Sequence, residues 1–192
     1  MVAVRQFDEE EVLQRIMEAF WREGFLATSI DDLVAATGLK RGSLYAAFGD
    51  KEAMFLQAYA RYGEQMEDQL LATLERPDLQ ESVAALFDLV IGALESAASP
   101  PGCLIANCMS EAPGRGDAIE AVARASFTKA ETAFYERFLK AQADGQLAPG
   151  KDLRAVARFF TATMRSLAQI HRLNGDRKTI EDIARVALER LE

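Results

Sequence analysis

The chain has 192 residues, a formal net charge of −8 and 49% hydrophobic residues, with one histidine and two cysteines. That apolar content is enough to bury a sizeable core, while two cysteines are too few for a disulfide framework. One histidine leaves little room for a catalytic triad or a four-ligand zinc site.

No apolar run reaches the length of a membrane span. Met1 to Phe7 contains Arg5 but no apolar core, and the next four residues, Asp8-Glu9-Glu10-Glu11, are all acidic. No secretory leader is expected, and the expected location is the cytoplasm.

Apolar residues recur at helical spacing almost throughout, and no long alternating pattern appears, so the reading is all-α. A first helix is expected from about Asp8 to Glu23, with Val12, Ile16 and Phe20 on its apolar side and Gly24 as its stop. Ser29 followed by Asp32 reads as a capping box opening a second helix, which ends at Thr37-Gly38. A third, short helix covers Arg41 to Phe48. Asp50 caps a fourth, expected from Lys51 to about Leu74. Further helices are expected at 79–97, 104–111, 117–144, 152–173 and 178–191, with breaks at Pro100-Pro101-Gly102, Pro113-Gly114, Pro149-Gly150 and Asn174-Gly175.

The short second and third helices, joined by Thr37-Gly38-Leu39, read as a helix-turn-helix. Gly38 tolerates the positive φ such a turn needs. Ile30, Leu33, Val34, Leu39, Leu44 and Phe48 would lock the two helices together, leaving Lys40, Arg41, Gly42 and Ser43 at the exposed start of the third helix. Two cations, a glycine and a hydroxyl suit contact with phosphates and base edges. An acidic chain is an unusual nucleic-acid binder, but the charge of the docking face decides. Between Thr37 and Tyr62 the cations Lys40, Arg41, Lys51 and Arg61 outnumber the anions Asp50 and Glu52. On spacing alone, surface charges on an ordinary helical turn remain an alternative.

The run from Thr28 to Glu52, TSIDDLVAATGLKRGSLYAAFGDKE, closely resembles the signature of the TetR/AcrR family of transcriptional regulators. It has the threonine before the second helix, the glycine turn, the Gly-Ser-Leu-Tyr-x-x-Phe recognition helix and the Lys-Glu pair. The resemblance covers about the first third of the chain. It implies a helix-turn-helix domain over residues 1–53 and a helical ligand-binding and dimerisation domain over 54–192. It implies phosphate contacts at Thr28, Tyr45 and Lys51, and DNA contacts at Lys40, Arg41, Gly42 and Ser43. Ala46 and Ala47 stand where many members carry a histidine or another polar residue, which shifts specificity toward Lys40 and Arg41.

The resemblance further implies a homodimer on a palindromic double-stranded operator, acting as a repressor that an unidentified small-molecule effector releases. No cofactor or metal is expected. Leu153, Val156, Phe160, Met164, Leu167, Ile183, Val186, Ala187 and Leu191 lie at helical spacing and suit a dimer face; intramolecular core is the other reading. Phe87, Met109, Phe127, Phe134, Phe159 and Met164 are candidates for a pocket wall, with ordinary core the alternative.

Gly102-Cys103-Leu104-Ile105-Ala106-Asn107 resembles an element of one subset of the family, some of whose members respond to electrophiles, oxidants or metals. That makes Cys103, near a helix start, the candidate sensor thiol; a small buried hydrophobe is the alternative. Cys108 follows five residues on, about 140° around a helix, and does not pair with it easily. His171 reads as a packed or solvated residue. An enzyme is not expected, because no phosphate loop, nucleophile elbow or His-Glu-x-x-His pair is present.

Overall fold

The computed structural model describes residues 7–97 and 99–192; the leader reading rests partly on residues 1–6, which lie outside the described residues. The elements are α1 Glu9–Ala27, α2 Ile30–Thr37, α3 Arg41–Phe48, α4 Lys51–Leu74, α5 Leu79–Leu94, α6 Leu104–Glu111, α7 Ala118–Ala143, α8 Leu153–Asn174 and α9 Arg177–Leu188, closed by a 3-10 turn at Glu189–Leu191. Among the described residues there is no strand.

Most helices start on an acceptor written into the sequence. Asp8, Asp50, Asp78, Asp117, Asp152 and Asp176 each take backbone N–H groups of the following turn. Ser29 and Asp32 make the reciprocal box: Asp32 N–H donates to Ser29 Oγ at 3.1 Å, and Ser29 N–H donates to the Asp32 carboxylate at 2.8 Å. The Ser29 hydroxyl, donating to the Asp32 carboxylate at 2.7 Å, and the Ser29 N–H hold that carboxyl below the usual carboxylate range. Each such cap is worth about 1 kcal/mol. Only α3 and α6 lack a side-chain cap among the described helices of eight or more residues.

The expected first-helix stop is a break with a further turn after it. Gly24 leaves helical geometry at φ 84°, ψ 171°, and Phe25 to Ala27 add one more turn before Thr28. Helix α5 ends at Leu94 rather than continuing to Ala97. Gly38 ends α2 in the left-handed conformation at φ 72°.

Two apolar cores form. The first gathers Ile16 and Phe20 of α1, Leu33 of α2, Leu44 and Phe48 of α3, and Met54, Phe55 and Tyr59 of α4, together with Leu104, Ile105 and Cys108 of α6. The second joins α5, α7, α8 and α9 around Phe134, Phe138 and Phe160. Helix α4 serves both, with Tyr62 in the first and Leu70 and Leu74 in the second.

The residues read as a dimer face divide. Leu153, Phe160, Met164, Leu167, Ala187 and Leu191 are buried within this one chain, so the intramolecular reading holds for them. Val156 and Ile183 are partly buried against the same core. The apolar side chains α8 and α9 leave open are Phe159, Leu173 and Val186. An amphipathic period marks the buried side of a helix but says nothing about a second apolar side on the same helix.

Candidate nucleic-acid interface and cavity

Helix α3 is held from beneath and bare at its start. Leu44 and Phe48 are buried against Leu33, while Arg41, Gly42, Ser43, Tyr45 and Ala46 are exposed. Its N-cap is Lys40, which gives no side-chain acceptor, so the first-turn amides and their partial positive charge face outward. Lys40 is exposed and has no acidic partner among the described residues. Arg41 reaches back to Asp31 of α2 at 2.5 Å, an exposed pair. The exposed edge thus carries one paired cation, Arg41, and one without an acidic partner among the described residues, Lys40.

Two of the sequence-read contacts sit differently. The Thr28 side chain is buried, and its hydroxyl donates to the Gly24 carbonyl at 2.6 Å. Lys51 is partly buried, with its ammonium over the Phe25 ring at 4.5 Å. Desolvation lowers the Lys51 pKa, while the Glu111 carboxylate pulls it the other way. Thr28 and Lys51 therefore adjoin the α1 break, and the two of them are not brought onto the α3 edge.

The break itself is held by α6 and α8. A helix that stops leaves carbonyls without partners, and a restarted turn leaves amides without partners. Asn107 of α6 donates from Nδ2 to the Trp21 carbonyl at 3.1 Å. Arg172 of α8 donates to the Arg22 carbonyl at 3.1 Å. The Glu111 carboxylate accepts from the backbone N–H groups of Phe25 at 2.8 Å and Leu26 at 3.2 Å. A Cβ built on Gly24 would lie 2.0 Å from Glu111 Oε1, so only glycine admits the carboxylate this close.

Behind α6 lies a cavity of about 470 Å³ bounded by α1, α4, α5, α6, α7 and α8. Of the candidate pocket residues, Met164 lines it. Phe87 and Phe134 are inside the core, and Phe159 faces outward. Met109 and Phe127 line a separate, more open hollow. The aromatic wall comes instead from Trp21, Tyr59 and Tyr62, with Arg165 of α8 beside them. Tyr59 and Tyr62 lie three apart on α4, a helical-face signal, but nothing local tells which face meets a void.

Cys103 lines the same cavity, and the Tyr62 hydroxyl donates to its Sγ at 3.5 Å. Cys108 is buried under α1, and burial pushes its thiol up to about 12. The two thiols thus serve different surroundings. His171 lies near the end of α8 and does not line the cavity. Among the described residues no group of three or more His, Cys, Asp or Glu is placed to hold a metal, and no helix is long and apolar enough to cross a membrane.

A compact helix-turn-helix with a positive, uncapped second helix, joined through a long helix to a bundle containing a cavity, is the architecture of a DNA-binding regulator. Comparison with known proteins gives the family. Residues 12–58 match the bacterial regulatory proteins of the tetR family, and residues 80–187 match the tetracyclin repressor-like C-terminal domain. The HTH-type transcriptional repressor ComR of Escherichia coli K12 is 32% identical over 170 residues, 84% of this chain and 78% of that one. The HTH-type transcriptional regulator YezE of Bacillus subtilis is 29% identical over 98% of both chains. A cysteine-substituted CifR, a TetR family regulator solved on 26-bp double-strand operator DNA, superposes with a TM-score of 0.91 at 28% identity, covering 98% of this chain and 99% of that one. The chain belongs to the TetR family of transcriptional regulators.

Gly24→Ala meets both the positive φ and the Glu111 carboxylate, and is expected to cost about 1–3 kcal/mol in chemical denaturation. Adding Glu111→Ala to it is expected to recover only part of that loss, since the backbone strain stays.

Proposed function

We propose that the chain is a cytoplasmic, homodimeric repressor, that it binds a palindromic DNA operator, and that a small molecule in the α4–α8 cavity releases it. The observation that carries this reading is the bare start of α3. Lys40, Arg41, Gly42 and Ser43 stand exposed on a helix locked by Leu33, Leu44 and Phe48. We assign DNA contacts to Lys40, Arg41, Gly42, Ser43 and Tyr45, with the charged pair and the open amides on phosphates and base edges. Lys51 adds a phosphate contact at the rim. Thr28 is assigned a positioning role through its bond to Gly24, which sets the angle at which α2 and α3 leave α1. Residues 1–53 then act as the reading head and residues 54–192 as the sensing and dimerising body.

Dimerisation is assigned to the outer side of α8 and α9, where Phe159, Leu173 and Val186 are exposed. A twofold pair places two α3 helices in successive major grooves, and repression depends on their separation. An effector acts by binding better to the form whose heads are wrongly spaced. The route is short: α6 has one end at the cavity, through Cys103 and Ile105, and the other on the α1 break, through Glu111.

Selection of one site from a genomic DNA-fragment library is the primary test. Lys40→Ala and Arg41→Ala are each expected to weaken operator binding while leaving the dimer intact in sedimentation. Removing one phosphate-binding cation should flatten the plot of log affinity against log salt by roughly one for each protomer. An unchanged operator affinity in both variants would remove α3 from the interface.

A second reading of the trigger rests on Cys103, whose Sγ is at the cavity wall and accepts from Tyr62. Alkylation there would fill the cavity and break that bond. N-ethylmaleimide is expected to release operator DNA from the wild type and from Cys108→Ser, but not from Cys103→Ser. Release that persists in Cys103→Ser would remove the thiol from the mechanism.

A further inference from the structure

The cavity wall is mostly apolar, but its polar atoms are unevenly matched. Lys129 is neutralised by Glu67 at 2.8 Å, and Glu64 lies close by on the same side. Arg165 is different: it lines the cavity with no carboxylate partner among the described residues, and its Nε is buried without an acceptor. Trp21 lines the same space with its ring, while its Nε1 is likewise buried without an acceptor. A buried donor with no partner is destabilising, and more so when charged.

Both residues neighbour Tyr62. The Trp21 ring packs edge-on against Tyr62 at 4.7 Å between centroids. The Arg165 charge acts on the hydroxyls of both Tyr59 and Tyr62. Both phenols are held neutral by desolvation and remain donors, one to Ser126 and one to Cys103. The corner therefore holds one unpaired cation and a second, neutral unsatisfied donor, with apolar walls from Leu86, Val90 and Met164 leading away from it.

We infer that this corner is an anion subsite, and that the cavity takes a small carboxylic acid with an apolar body, its carboxylate on the Arg165 guanidinium. This rests on the regulator reading for its biological use but not for its chemistry. A single unpaired cation matches a monoanion; a phosphate monoester would bring a second charge with no counterpart. A guanidinium facing a carboxylate in apolar surroundings makes a strong, directional pair. The apolar body fills the remaining volume, which falls within the usual size range of small-molecule sites. Trp21 belongs to α1 and Arg165 to α8, so a ligand that fills the cavity would touch both the reading head and the sensing body.

Trp21 is the sole tryptophan, so its fluorescence reports occupancy directly. The full-length protein is titrated with octanoate and 4-phenylbutyrate, each against its neutral amide, and calorimetry checks the result. The wild type is expected to bind the acids at least about tenfold more tightly than the amides. Arg165→Gln is expected to erase that preference, and Arg165→Lys to retain part of it. Equal affinity for acid and amide, no acid binding, or a preference that survives Arg165→Gln overturns the inference. Operator selection by the ligand-free protein is scored separately. Its absence sinks the regulator reading and leaves the cavity chemistry standing. Its presence without acid preference sinks this inference alone.

Discussion

The rest of the molecule depends on how the broken end of α1 is satisfied. Gly24 interrupts the helix and strands carbonyls on one side and amides on the other. Their partners come from the second half of the chain: Asn107 and Arg172 for the carbonyls of Trp21 and Arg22, Glu111 for the amides of Phe25 and Leu26. None of these bonds involves α2 or α3. Yet α2 begins at Ile30, just beyond the end of α1 at Ala27, so the direction of the helix-turn-helix is set by side chains of α6 and α8. A carboxylate on two backbone amides is a charge-assisted arrangement with little freedom to slide.

That arrangement places the cavity at one end of one short helix and the α1 break at the other. Helix α6 has eight residues, starts without a cap at Cys103 and ends at Glu111. A change of about an ångström at its start has to be taken up either by unwinding it or by moving Glu111, because a packed interior does not deform smoothly. The Lys51 ammonium, stacked on Phe25 and drawn by Glu111, sits at the same junction. Glu111 thus joins α6 both to the restarted turn of α1 and to the Lys51 ammonium. Much of the overall charge of −8 sits on caps and helix faces, and on the α3 edge Lys40 has no acidic partner among the described residues.

Much of this is legible in the order of residues. Helix limits follow from local chemistry: Asp and Ser caps at the starts, Gly38 and Gly175 in the left-handed conformation at the ends. The helix-turn-helix is legible because its core, its turn and its exposed edge lie within one run of residues. The cavity is not. Trp21, Tyr59, Tyr62 and Arg165 sit on three helices far apart in sequence, and Phe87 and Phe134 have the same composition and spacing signature but pack solidly in the core. Most residues read as a dimer face are core for a related reason: the apolar period of α8 is dominated by Phe160 and Leu167, which face inward. Thr28 carries a motif but not its burial, which arises from the break at Gly24.

The most direct test of the α6 linkage is amide hydrogen exchange at Phe25 and Leu26 in the full-length protein, with and without Glu111→Ala, alongside operator affinity. Loss of the carboxylate should speed exchange at those two amides and weaken operator binding, while exchange in the α7–α9 core stays as it was. Unchanged exchange at Phe25 and Leu26, or faster exchange with operator affinity intact, would contradict the linkage.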